Sequence, residues 1–264
     1  MRKPVVPKLL LDTKVDIPYQ TAQITIYQPS IKEIAYITEG TFLTGANALC
    51  KNYQNIQDNL GLSQLSNFEI LMNIMREKDV KSKQIAEAVF HVLFLIFPHY
   101  KINFTPSAII LQEEVDGQKQ THLLDKDNFD GFTNILYDMF CLADMEGGQT
   151  QDYNPGGDRA RALVEKFRKR HEFLTEQNKQ RGKDPALITV YGRYINILAV
   201  GEKKDKNELK EYSIYQLLEE FKRFQLKETF DYTFRAKLAG ATKIKDAKDW
   251  MDDIGFGDRN DEDE

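Results

Sequence analysis

From Ser66 onward apolar residues recur at three-to-four spacing. Phe68, Leu71, Met72 and Met75 fall on one face, with Ser66 as N-cap and Glu69 three positions later, the signature of a capping box. A second helix is predicted over Val80 to Phe97, apolar nearly all round in its C-terminal half and therefore central. A third covers Asn128 to Ala143 and buries Phe132, Ile135, Leu136, Met139 and Phe140. Earlier in the chain, Pro29-Ser30 opens a helix with Ile31, Ile34, Ala35 and Thr38 on one face, and Phe42 to Lys51 forms another. Asn52 to Leu62 is polar and turn-like.

Other stretches alternate with period two. Ala22 to Gln28 is β-branched and predicts a short strand. Ala108 to Glu114 and Gln118 to Leu124 flank Asp116-Gly117, a two-residue hairpin signal. The first hairpin strand is apolar and the second polar, so one face packs on helices. Residues 1–20 hold three prolines without a period and read as an extended arm.

The segment DMEGGQTQDYNPGGD, residues 144–158, has five glycines and prolines in fifteen residues and is the strongest internal boundary. Beyond it the pattern is helical. Asp158 caps a helix from Arg159 to about Lys179, and Pro185 to Val200 reads as helix in preference to strand. Ser213 with Gln216 forms a capping box for a long helix through Leu238, closed by Gly240. Ala247 to Ile254 is a last short helix. The fold class is therefore α+β, predominantly α-helical, with a strand and a hairpin in the N-terminal half and a helical C-terminal half. The predicted division is a mixed domain over 1–144, a linker over 145–158, a helical domain over 159–245 and an acidic tail with a short helix over 246–264.

Composition narrows the class. At 41 % apolar and 11 % aromatic the 264-residue chain can bury a core, which excludes wholesale disorder. The apolar run Ala88 to Pro98 is too short to span a bilayer, and the first residues lack the continuous apolar core of a signal peptide. Cys50 and Cys141 lie in apolar-periodic stretches and read as reduced core thiols. A soluble intracellular protein is expected.

Catalytic and cofactor patterns do not emerge. HExxH, CxxC, GxSxG and phosphate-loop sequences do not occur in the chain. DKDNFDG, from Asp125, resembles a calcium loop but puts Phe129, Asp130 and Leu136 where that loop needs an oxygen ligand, a glycine and a glutamate. The bland alternative is a turn whose Asp127 or Asn128 caps the next helix. Gly147-Gly148 and Gly156-Gly157 could offer amides to a phosphate, but Asp158 already supplies an anion there. His91 and His99 have no acidic or thiol partner near in sequence. No enzyme, cofactor or metal site is expected.

Charge is unevenly distributed. The formal net charge is −5, yet Asp246 to Glu264 has nine acids against Lys248 and Arg259, leaving +2 on the rest. Arg159 to Lys183 has nine bases, Arg168 and Arg170 among them, against three glutamates. Such a helix could contact RNA, DNA or an acidic protein surface; the bland alternative is a solvated amphipathic helix, favoured by the lack of interleaved aromatics. The acidic tail could also fold back on it. Within that tail Trp250, Met251, Ile254 and Phe256 are large apolar groups of the kind that anchor protein contacts or dock on the chain's own body.

Three segments carry a resemblance. IYQPSIKEIAYITEGTF, NPGGDRARALVEKFRKRHEFL and YSIYQLLEEFKRFQLKETFDYTFRAKLAGA…KDWMDDI together resemble proteins of tailed bacteriophages of Gram-positive hosts, the tail assembly chaperone or tail-morphogenesis family. The resemblance implies a non-enzymatic role in the host cytoplasm. There the protein would hold an aggregation-prone tail component, such as the tape-measure protein, or associate with itself, with no membrane partner. It transfers no catalytic residues. A structural component of the tail or baseplate is the main alternative, and nucleic-acid binding through residues 159–183 the second.

Overall fold

The structure, a computed structural model, describes residues 5–53, 65–115, 117–142, 189–240 and 250–251. Among these residues nine helices accompany two small antiparallel sheets, both in the N-terminal half, and the C-terminal part is helical. That is the expected class.

Residues 5–20 depart from the extended arm that the prolines of 1–20 suggested. Lys8–Asp12 forms a short helix, α1, and Ile17–Tyr19 a strand, β1, paired antiparallel with β2, Ile24–Ile26. The groups that order this arm lie outside it. Leu11 and Ile17 are buried, and the fully buried Gln28 donates its amide to the carbonyls of Leu10 and Val15 at 2.9 and 2.6 Å. A period search within the arm cannot detect such partners.

Two helices follow. Ile31–Ile37, α2, starts at a Ser30–Glu33 capping box. Its end is abrupt, because Thr38 takes φ +69°, a conformation that costs a β-branched residue about 1–3 kcal/mol. Thr38 therefore breaks the predicted face and serves as N-cap of α3, Glu39–Cys50. Asn67–Arg76, α4, begins at the predicted Ser66–Glu69 box, and Val80–Ile96, α5, is capped by Asp79. α3 and α5 approach closely at Gly45, where a Cβ would overlap the Ala88 carbonyl. α5 is central, with Val89, Val92, Leu93 and Ile96 buried, but not all round, since Phe94 is 55 % exposed.

β3, Lys101–Phe104, β4, Ala108–Val115, and β5, Gln118–Asp125, form a sheet in that order. The hairpin pairs Val115 with Gln118 and Ile109 with Leu124, within a residue of its expected span. Ile109, Leu111 and Leu124 are buried, and Phe104 meets Phe90 of α5 edge-on at 4.5 Å. Phe129–Met139, α6, buries the expected Phe132, Ile135, Leu136 and Met139, with Phe140 just beyond it against Phe42. Asn128 precedes α6 but its side chain makes no cap. It accepts from the Asp125 amide and donates to the Leu123 carbonyl, fastening the turn.

Helix was the right choice in the ambiguous stretch, since Val190–Gly201 is α7; residues 185–188 lie outside the described residues. Lys206–Leu209, α8, and Ile214–Leu238, α9, complete the described helices, α9 starting at the predicted Ser213–Gln216 box. One hydrophobic cluster joins Ile26, Phe42, Leu71 and Leu93 to Tyr191, Leu198, Leu209 and Leu217. The polar seam between the two parts runs through two helix starts. Ser30 bridges Ser213, the Ile31 amide donates to Tyr212, and that of Lys32 to Lys210, both at 2.9 Å. The proposed boundary over 145–158 and the basic stretch 159–183 lie outside the described residues.

Candidate interaction site

The most distinctive surface is built on α7 and α9. Ser213 holds the start of α9 by accepting from the Gln216 amide, while Gln216 donates its side-chain amide to the Asp12 carbonyl at 2.8 Å. Ile214, Tyr215, Leu217 and Leu218 are buried. One turn on, Phe221 stacks on Tyr194 of α7 with centroids 4.3 Å apart. At the next turn the two helices meet where Gly201 faces the Phe224 ring; a side chain at 201 would run into it.

Charge ties the same corner. The Lys204 ammonium lies 2.7 Å from Glu220, 3.7 Å from Glu202 and 5.6 Å from the Tyr212 ring centroid. Burial pushes the Glu202 carboxyl upward, and the shared hydrogen bond and charge of Glu220 push it the same way, against the pull of Lys204. This is a compensated ion network in which two carboxylates share one lysine.

Past Phe224 the body no longer covers the face that Ile214, Leu218 and Phe221 began. Gln225, Glu228, Tyr232 and Arg235 continue that face into solvent, so the face is core for its first half alone. Tyr232 is 74 % exposed, Phe234 56 % and Leu238 74 %. The helix ends at Gly240, whose φ of +89° suits a residue without a side chain. The chain then returns alongside α9: Arg223, held by Glu219 at 2.7 Å, donates to the Trp250 carbonyl at 3.1 Å. Trp250 is half-buried and Met251 is exposed. Ile254, Phe256, Arg168 and Arg170 lie outside the described residues, as does the predicted helix over 247–254 apart from 250–251. Composition pointed to Trp250; Arg223, which meets it from 27 residues away, carried no sequence signal.

Beside this seam lies a cleft of about 610 Å³, lined by Arg193, Asn196, Ile197, Val200 and Phe224 among others. Val200 is 81 % exposed at its edge. Lys206 reaches Asn196 at 2.6 Å, bringing a second cation to the rim beside Arg193. A larger hollow of about 810 Å³ lies between α3 and α6, with Asn47, Asn67, Asp130 and Asn134 in its wall. Asn67 donates to Asp130 at 3.1 Å and accepts from the Tyr53 amide, so its polar groups serve local structure.

Of the residues considered for chemistry, His91 is half-buried on α5 and His99 exposed. Among the described residues the histidine that meets an acid is His122, 3.1 Å from Glu113 across the hairpin. Asp125 accepts from the Asp127 amide at 3.0 Å, so the calcium-like segment is a turn. Cys141 is buried and Cys50 half-buried, and neither forms a disulfide among the described residues. Among the described residues no group of three or more His, Cys, Asp or Glu could hold a metal ion. No helix among them is long and apolar enough to cross a membrane.

Residues 192–255 match the model of the YomV second domain, a phage-type family of the Bacillus phage SPBc2-like kind. The match covers about a quarter of the chain and takes in nearly all of α7, all of α8 and α9, and the return to Trp250. It supports a phage-associated domain in this chain. No curated protein and no solved structure matches.

Proposed function

We propose that the chain is a non-enzymatic phage tail assembly chaperone or scaffold. In the host cytoplasm it would hold an aggregation-prone tail component, such as the tape-measure protein, until the tube polymerises around it. The observation that carries this reading is the outer half of α9. A 25-residue helix is anchored at one end in the core and presents Tyr232, Phe234 and Leu238 to solvent at the other. Exposed large apolar groups on a firmly held element are what a transient protein contact needs. Met251 adds a flexible thioether side chain nearby, suited to partners of variable shape. These groups fall inside the segment that matches a phage-type domain, which ties the surface to a phage context.

Mass spectrometry of purified virions tests the reading. A chaperone is expected to be absent or far below the copy number of tail proteins. Stoichiometric presence would instead make the chain a component of the tail or baseplate.

A further inference from the structure

We propose that the stretch following Met251 docks in cis into the cleft between α7 and α9, with Ile254 and Phe256 as its apolar anchors. The chain is delivered there: Arg223 holds the Trp250 carbonyl one residue before Phe224, which lines the cleft. An extended chain advances up to about 3.3–3.6 Å per residue, so Ile254 can lie ~10 Å and Phe256 ~17 Å beyond Met251. The cleft's α7 wall from Gly201 to Arg193 spans eight residues of helix, ~12 Å. The distances match.

The chemistry matches as well. The wall offers Ile197, Val200 and the Phe224 ring to apolar side chains, and Val200 is 81 % exposed. Arg193 stands in that wall, and Lys206 at its rim is held by Asn196. Among the described residues no carboxylate pairs with either cation. The segment from Asp252 onward brings seven acids and one base. Tethering favours the chain's own segment over a free competitor, because a short linker gives millimolar effective concentration. The family match runs from 192 to 255, so the cleft residues from Arg193 to Phe224 and the first anchor belong to one matched unit. The inference does not depend on the identity of any client.

The test uses the full chain carrying Val200→Cys, labelled with a maleimide and read at position 200 by peptide mass spectrometry, so that Cys50 and Cys141 can stay. Adding Ile254→Ser and Phe256→Ser should raise the labelling rate about fivefold, the change expected if some four-fifths of molecules are docked. Arg193→Glu should produce the same direction of change, since it replaces an attraction with a repulsion. Equal rates with and without the two serine substitutions would overturn the proposal. So would protection that rises with protein concentration, because the occupant would then be a second copy.

Discussion

The carboxylate of Glu39 accepts the backbone amide hydrogen of Val190 at 2.7 Å, and its second oxygen accepts that of Tyr191 at 3.2 Å. Thr189, at the N-cap position of α7, makes no side-chain cap. A residue 151 positions earlier therefore satisfies the first amides of this helix and places a negative charge at its positive end. Glu39 can do so because the +69° turn at Thr38 starts α3 against α7.

Replacing Glu39 by Ala should destabilise the protein by about 1–2 kcal/mol, the usual effect of losing an N-cap, with Glu39→Gln milder. Urea unfolding followed by circular dichroism measures it.

The pH dependence of two buried-edge glutamates should be opposite in sign. Burial raises the Glu39 carboxyl, and the two amide bonds only partly offset it. In the folded protein Glu39 thus binds a proton more readily than when unfolded, so its contribution to stability grows as pH falls from the raised value toward the ordinary one. For Glu33 burial also pushes upward, but hydrogen bonds from the Ser30 amide and hydroxyl and from Tyr27 together outweigh it and hold the carboxyl low. Its contribution is present above the ordinary carboxylate value and is lost as pH falls through the depressed one. Comparing Glu39→Gln and Glu33→Gln with the wild type between pH 3 and 7, roughly the carboxylate range and above, should show slopes changed in opposite directions.

Gly45 and Gly40 lie on the same helix with different surroundings. Gly45→Ala drives a methyl into the Ala88 backbone and should cost about 1–3 kcal/mol. Gly40 has open space around the position a Cβ would take, so Gly40→Ala should stabilise by about 0.4–1 kcal/mol. Thermal melts of the pair separate packing from propensity.

Trp250 is the chain's one tryptophan and reports on the return segment. Arg223→Ala removes the donor to its carbonyl and should red-shift its emission with little change in helix content. Deleting Lys248 to Glu264 should leave the body folded, at a cost of about 1 kcal/mol or less, while weakening client capture. Failure to fold would make the Trp250 segment structural.

Local chemistry was legible and distant chemistry was not. Ser66–Glu69 and Ser213–Gln216 announce their helices because both halves of a capping box lie three residues apart. The hairpin register follows from period-two alternation on either side of a tight turn. Arg223 against Trp250, Glu39 against Val190 and Gln28 against Leu10 each join separate elements, so no window along the chain contains them. The periodicity of α9 is a property of the helix alone and does not say how far along it a face is covered. Whether a neighbour covers it depends on α7, which ends at Gly201 beside Phe224. The cleft likewise exists only once α7 and α9 cross. Trp250 and Met251 stood out by type alone, as large apolar residues in an acidic run.

Co-expression with the tape-measure protein tests the chaperone reading most directly, through that protein's soluble fraction after centrifugation. The account predicts a several-fold rise when the full chain is present and a loss of most of that rise with Tyr232→Ser, Phe234→Ser and Leu238→Ser together. A tape-measure protein equally soluble with and without the chain would contradict it.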